Sequence, residues 1–96
     1  MPVFIANLIV KAGKEADFER LQTELSELTH SQEPGVLVYD VIRHNENPGH
    51  YVVYARFSDQ AAFDTHQTID FHDRLVPDIL ACLAEDMDLQ FFEHVA

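Results

Sequence analysis

The sequence has few basic residues, one cysteine and no long apolar run, and each shortage excludes a class of protein. Six Lys and Arg stand against 17 Asp and Glu, which gives a net charge of −11. Such a chain repels phosphate backbones and anionic lipid, so we expect no nucleic-acid or membrane partner. No apolar run approaches the roughly 20 residues of a membrane helix, and Met1–Asn7 lacks the basic start of a signal peptide. The single cysteine, Cys82, forms no internal disulfide, which favours a reducing, cytoplasmic location.

What remains is a chain of 96 residues with 47% hydrophobic residues, enough for a single domain over residues 1–96. Apolar, β-branched segments predict four strands. They are Val3–Lys11, Val36–His44, His50–Phe57 and Asp86–Val95. A first helix should begin near Gly13 and end at the Glu33–Gly35 turn, since apolar residues recur along it at helical spacing.

The second helical region should be broken. Ser58 or Asp59 can cap its start with a side-chain oxygen. The pattern loosens around Thr68–Asp70, and a second helical segment with its own apolar stripe follows. Pro77 is tolerated in that segment if the segment starts only a few residues earlier, and otherwise it kinks the helix.

The order β-α-β-β-α-β predicts a ferredoxin-like α+β fold, a four-stranded antiparallel sheet with helices on one face. The evenly apolar first and third strands should be central, and the second and fourth should be edges. The other face would expose residues such as Leu8, Val10, Val52 and Tyr54. Because that patch is large, we expect a homodimer in which two sheets pack face to face, with the helices outside.

Several short motifs resemble a known family. They are Val10–Lys14 before the first helix, Glu33–Gly35 followed by Tyr39–Arg43, Asn47–Tyr51, and Phe57–Phe63 with His66 three residues later. Together they resemble the antibiotic-biosynthesis-monooxygenase superfamily of dimeric α/β barrels, which includes quinol monooxygenases and the isomerase that processes the phosphorylated autoinducer-2 signal. The resemblance covers nearly the whole chain.

The resemblance implies a pocket between sheet and helices for a small aromatic or quinol-type substrate. It also implies monooxygenation without a bound metal or flavin, with the substrate anion reducing oxygen. Isomerisation of a small hydroxyketone-type metabolite is an alternative, and a non-catalytic dimeric module that binds a small ligand is another.

Two residues are the candidate catalytic groups. Asn7 is the only amide in an apolar strand, and its position resembles a pocket asparagine of haem-degrading relatives. Replacing it by alanine should then lower turnover and change stability little. His66 lies one helical turn after Phe63, so it points toward the sheet and suits proton transfer. Each has a structural alternative, in which Asn7 bonds a nearby backbone group or water and His66 donates to a carbonyl.

Four residues are candidates for substrate binding: Tyr39, Arg56, Phe57 and His72. His72 stands one position away from the histidine of the resembling pattern, which usually has Pro-His-Phe there. Two further departures concern the third strand. Phe57 stands where many relatives have tryptophan, an absence that disfavours haem degradation, and Ala55 replaces a common acidic residue.

Other side chains have the chemistry for metal binding or reactivity. His66, Asp70, His72 and Asp73, or His44 with His50, could supply ligands, but neither set has the spacing of a strong metal motif, so no metal is expected. Cys82 lies in an apolar helix without basic neighbours, which predicts a buried, unreactive thiol.

Overall fold

The computed structural model describes residues 1–96, which form four strands and three helices. In chain order these are β1 (Pro2–Ile9), α1 (Glu15–Gln32), β2 (Val36–Arg43), β3 (His50–Phe57), α2 (Gln60–Thr68), α3 (Asp70–Ala81) and β4 (Asp88–Glu93). All neighbouring strands are antiparallel, in the order β2-β3-β1-β4. The predicted ferredoxin-like fold is therefore confirmed, with the first and third strands at the centre.

The sheet has one face buried under the helices. Along β3, Tyr51, Val53, Ala55 and Phe57 are buried, while the residues between them are only partly buried. This alternation follows from the two-residue period of a strand. We call the second face, which carries His50, Val52, Tyr54 and Arg56 of β3, the open face.

The register between β1 and β3 corrects one expectation. Leu8 pairs with Tyr51, and Asn7 pairs with Val52. Leu8 is therefore on the helix face, where it is 2% exposed, and Val10, two residues further, is buried with it in the core. The prediction that Leu8 and Val10 lie on the open face was wrong, whereas Val52 and Tyr54 do lie there.

Helix α1 supplies the first apolar surface against the sheet. It follows Gly13, whose φ of 89° is the left-handed conformation that glycine adopts without strain. Phe18, Leu21 and Leu25 are buried on one side of the helix, as the helical spacing predicts. The backbone N–H of Glu33 donates to the carbonyl of Thr29 at 3.0 Å, so the last turn closes at Glu33.

Helices α2 and α3 are separated by a single residue. Asp59 caps α2, and its carboxylate accepts from the backbone N–H of Ala62 at 2.8 Å. Ile69, between the helices, has an extended backbone (φ −68°, ψ 146°), which ends one helix and redirects the chain into the next. The predicted break is confirmed. Pro77 lies inside α3, seven residues after its start at Asp70, so the carbonyl of Asp73 lacks the usual helical donor.

The turn after α1 lies directly against α2. A Cβ at Gly35 would stand 2.6 Å from the Cβ of Ala62 and 3.3 Å from Oγ of Ser58. The carbonyl of Gly35 also accepts from the backbone N–H of Ser58 at 2.8 Å. Glycine at position 35 therefore permits a close approach between the turn and the helix.

The open face carries apolar side chains with no helix above them. They are Ile5, Ile9, Val38, Ile42, Val52, Tyr54 and Phe92. Ile42 is 57% exposed and Phe92 47% exposed. None of the helices combines the length and the apolar character needed to cross a membrane.

Candidate active site

An apolar cavity of about 140 Å³ lies between the helix face of the sheet, α1 and α3. Fifteen residues line it, and eleven of them are hydrophobic. The apolar ones are Phe4, Ala6, Leu8, Leu25, Tyr39, Val53, Val76, Ile79, Leu80, Met87 and Leu89. The other four are Gln22, His66, Gln67 and His72. A small apolar ligand would thus meet polar groups at only a few points, as is usual for small-molecule sites.

His66 lies in the last turn of α2 and is 2% exposed. Its Nδ1 is 2.9 Å from Oε2 of Glu33. Because an ionised carboxylate only accepts hydrogen bonds, Nδ1 carries the proton and donates. Nε2 makes no hydrogen bond within the chain, and His66 lines the cavity. Whenever the ring is neutral with its proton on Nδ1, Nε2 is its basic nitrogen.

Glu33 is the partner that makes this histidine chemically distinctive. The residue is 5% exposed, and its second oxygen, Oε1, has no hydrogen-bond partner. The carboxylate holds the ring through Nδ1 and lies where it could stabilise an imidazolium formed by proton transfer to Nε2. The pair therefore has the arrangement of a general base and the group that orients it.

His72 stands beside His66. It lies in the first turn of α3, and the two ring centroids are 4.7 Å apart at an interplanar angle of 69°. Burial lowers the pKa of His72, and a positive charge on His66 lowers it further, while the Asp73 carboxylate opposes both effects. His72 thus tends to remain neutral beside the ring of His66.

Tyr39 brings a hydroxyl from β2 to the same cavity. Its Oη accepts a hydrogen bond from Nε2 of Gln22 at 3.2 Å. Burial raises the pKa of Tyr39 to about 12, against a lowering by the Gln22 bond, and the negative charge of Glu33 raises it further. Tyr39 is therefore a neutral hydroxyl at physiological pH and can donate a hydrogen bond to an anion.

Two members of this site, Glu33 and Gln22, were not among the predicted site residues. Gln22 had a detectable signal, since it lies four residues after Phe18 and three before Leu25, on the buried stripe of α1. Glu33 belongs to one of the motifs that resemble the family, but nothing in that motif indicated a contact with His66, because Glu33 follows the last helical turn as one of 17 acidic residues.

The structure places the predicted site residues in three locations. His66, Tyr39 and His72 line the cavity. Phe57 lies behind it, buried, with its ring centroid 5.5 Å from that of His66. Asn7 and Arg56 lie on the open face, separated from the cavity by the sheet.

The contacts of Asn7 and Arg56 also differ from those expected of pocket residues. The amide oxygen of Asn7 accepts from Nε2 of His50 at 2.9 Å. Arg56 Nη1 is 3.0 Å from Nδ1 of His94. Asn7 thus links β1 to β3, and Arg56 contacts the segment that follows β4. The structure does not bring Asn7 or Arg56 together with His66, so their interpretation as pocket residues does not fit this protomer.

The remaining candidates do not form a second site within the protomer. No three His, Cys, Asp or Glu side chains come together in a group that could hold a metal ion. Cys82 is buried, and its Sγ is 3.5 Å from the carbonyl oxygen of Asp78. A wider groove of about 680 Å³ lies between α1 and β2 and shares Gln22 and Tyr39 with the cavity, but its other walls are mostly polar surface side chains.

A sequence profile described as Antibiotic biosynthesis monooxygenase matches residues 1–76. The chain belongs to this family. A crystal structure described as antibiotic biosynthesis monooxygenase is 33% identical over 100% of both chains, with a TM-score of 0.91. No curated protein is significantly similar to the chain.

Two more distant structures support the same fold over nearly the whole length. A protein from Caulobacter crescentus CB15 is 24% identical over 99% of this chain and 90% of its own, with a TM-score of 0.94. A conserved protein from Methanosarcina mazei Go1 is 25% identical over 95% of this chain and 89% of its own, with a TM-score of 0.89. The antibiotic biosynthesis monooxygenase fold therefore includes β4, which follows the matched residues 1–76.

Proposed function

We propose that this member of the antibiotic biosynthesis monooxygenase family oxygenates a small quinol-type aromatic compound in the cavity. The observation that carries the proposal is the buried Glu33–His66 pair, whose second ring nitrogen is unpaired in an apolar wall. Membership of the family supports the reaction class.

The first step is removal of a phenolic proton. Nε2 of His66 accepts the proton, and the carboxylate of Glu33 stabilises the imidazolium that results. The neutral hydroxyl of Tyr39 donates to the developing phenolate oxygen. Because the surroundings are apolar, these few charge interactions are stronger than they would be in water.

The second step uses molecular oxygen as the oxidant and the substrate anion as the reductant, without a bound metal or flavin. One electron passes from the anion to oxygen, and a C–O bond forms at a ring carbon to give a peroxide. The His66 imidazolium returns its proton to the peroxide oxygen. The O–O bond then breaks and the C–H proton leaves with the hydroxide as water. One quinol and one O₂ thus give one hydroxyquinone and one water.

Isomerisation of a small hydroxyketone is the second candidate function. It is favoured by the adjacent rings of His66 and His72, whose centroids are 4.7 Å apart. Two proton-transfer groups on one cavity could remove a proton from one carbon and return it to the neighbouring one. This reaction consumes no oxygen, which separates it from the first.

We also propose that two copies associate through the open face. Its apolar side chains have no cover within the protomer, and a chain of 96 residues has little interior of its own. Pairing of the two sheets would bury this surface and place the helices on the outside of a dimer.

Oxygen uptake with a panel of quinols tests the monooxygenase function, with ¹⁸O₂ as the oxygen source. We expect uptake that requires both protein and quinol, with one labelled atom in the organic product and one in water. His66→Asn should abolish the part of the oxygen uptake that depends on the protein. A protein that isomerises a hydroxyketone without oxygen uptake would favour the second candidate. Binding without turnover would favour a non-catalytic ligand module.

A further inference from the structure

We infer that the cavity selects a neutral, single-ring hydroxyarene and excludes both fused two-ring compounds and carboxylated rings. The inference rests on the proposed function and narrows its substrate class. It comes from three properties of the cavity: its volume, its fixed walls and the sign of the charge beside it.

The volume matches one aromatic ring. The cavity holds about 140 Å³, and an apolar cavity of about 150 Å³ in another protein holds one benzene molecule. Sites for drug-sized ligands are larger, at about 300–1,000 Å³. A second fused ring adds four carbon atoms for which this cavity has no room.

The inner walls leave little freedom to expand. Leu8, Leu25, Val53 and Ile79 come from four different elements, and each is at most 4% exposed. Close-packed side chains of this kind resist displacement, and inserting extra carbon atoms among them is costly. The apolar side chains that are exposed, Leu80, Met87 and Leu89, provide a mouth through which a ring can enter.

The polar end of the cavity suits hydroxyl groups. Gln22, Tyr39 and His66 are each at most 4% exposed and line the same cavity. Apart from the Gln22–Tyr39 and Glu33–His66 bonds they make no side-chain hydrogen bond, so Nε2 of His66 and the hydroxyl proton of Tyr39 are available. A hydroxyl group on the ligand ring can donate a hydrogen bond to Nε2 of His66, accept one from Tyr39, or do both.

The charge around the cavity disfavours an anionic substrate. No Lys or Arg lines it, and Glu33 places a buried negative charge behind His66. A carboxylate on the ring would lose its hydration without gaining a cation, which is unfavourable in a buried site. Substrates should therefore enter as neutral phenols or hydroquinones and become anions only on proton transfer to His66.

Anaerobic calorimetry with three diols tests the inference: methylhydroquinone, 1,4-dihydroxynaphthalene and 2,5-dihydroxybenzoate. We expect methylhydroquinone to bind at least about tenfold more tightly than either of the others, since a single surplus methylene already costs a pocket about this factor. If 1,4-dihydroxynaphthalene binds as tightly, the size limit is overturned and the proposed function stands. Equal binding of 2,5-dihydroxybenzoate overturns the charge selection alone. If none of the three binds, both the inference and the proposed quinol substrate are overturned.

Two cavity variants give an independent check. Ala6→Val adds methyl groups to a lining residue that is 1% exposed, and should abolish binding of methylhydroquinone while the protein stays folded. Ile79→Ala enlarges the cavity and should admit 1,4-dihydroxynaphthalene. Ala61→Val, on the exposed surface of α2, is the matched control and should bind as the unchanged protein does. Unchanged methylhydroquinone affinity in folded Ala6→Val would overturn the inference even if Ile79→Ala fails to fold.

Discussion

Nδ1 of His66 lies 2.9 Å from the carboxylate of Glu33, and the two side chains are 2% and 3% exposed. Glu33 closes α1, and His66 belongs to the last turn of α2. Their bond thus joins two helix ends from different parts of the chain beneath the surface. Because a buried carboxylate needs a partner, this contact should contribute to stability as well as to the proposed proton transfer.

Glu33→Gln removes the negative charge of this residue and keeps nearly the same side-chain shape. The amide can still accept from Nδ1 of His66, but it no longer stabilises the imidazolium. We expect kcat for quinol oxygenation to fall by about 10²-fold with little change in KM, at the low end of what acid–base groups contribute. Steady-state oxygen uptake measures both constants. Glu24→Gln, which removes an exposed carboxylate paired with Arg74, is the control and should leave them unchanged.

The stability of the pair is measurable by a double-mutant cycle. His66→Leu alone leaves the Glu33 carboxylate buried without a partner, which should cost about 3–5 kcal/mol of unfolding free energy. Combining it with Glu33→Leu removes the stranded charge, so the double variant should be less destabilised than the sum of the single ones. We expect a coupling on the order of 2 kcal/mol from urea unfolding. Additive effects would show that the two side chains do not interact energetically.

The structure changes the expected outcome of Asn7→Ala. From the sequence, the variant was expected to lower turnover and to change stability little. The amide oxygen of Asn7 accepts from His50 on the open face, so the variant removes one partly buried hydrogen bond. Unfolding free energy should fall by about 1 kcal/mol, whereas turnover should stay the same. A large loss of turnover in a variant of normal stability would return Asn7 to the catalytic site.

His72 should make stability depend on pH just below neutrality. Its pKa in the folded protein is below the ordinary 6.5, because burial disfavours the charged ring and the charge of His66 repels it. The unfolded chain therefore binds more protons as the pH falls through 6.5, and stability is lost on acidification toward the lower folded pKa. Thermal unfolding between about pH 7.5 and about pH 5.5 should show a smaller loss for His72→Gln than for the unchanged protein.

Asp73→Asn should have the opposite effect to His72→Gln on the pH dependence of stability. The Asp73 carboxylate raises the pKa of His72, so its removal should lower that pKa further and increase the loss of stability on acidification. Equal pH dependence in all three proteins would show that His72 does not contribute to the linkage.

Val52→Asp tests association through the open face. The side chain lies at the centre of the sheet, opposite Asn7 and beside Ile42. A carboxylate there would have to be buried in a face-to-face dimer, so we expect a dimer for the unchanged protein and a monomer for the variant by light scattering at micromolar concentration. Ala61→Asp on α2 is the control and should remain dimeric. A monomeric unchanged protein would contradict the proposal.

The fold could be predicted from the sequence more completely than the site. The fold follows largely from local patterns, whereas the site depends on which distant segments pair. Alternation and turn residues located β3 as His50–Phe57, and the loosened pattern near Ile69 located the break between α2 and α3. In β1, however, both sets of alternating residues are apolar. Only the pairing of Leu8 with Tyr51 determines which set faces the helices, and this pairing placed Asn7 on the opposite side.

Glu33 was not predicted as a site residue for a similar reason. Glu33 is adjacent to His66 only because β2 and β3 together return the chain, so that α2 lies beside the end of α1. No local spacing encodes that contact across 33 positions. His66 itself was predicted because its distance from Phe63 is a local property of one helix.

Gly35 determines how closely α2 can approach the turn that holds Glu33. A methyl group at this position would collide with Ala62, four residues before His66, and would push the helix outward. The hydrogen bond between His66 and Glu33 would lengthen with that shift, although neither residue had changed. The absence of a side chain at position 35, two residues from Glu33, thus permits the short distance between Glu33 and the proposed base.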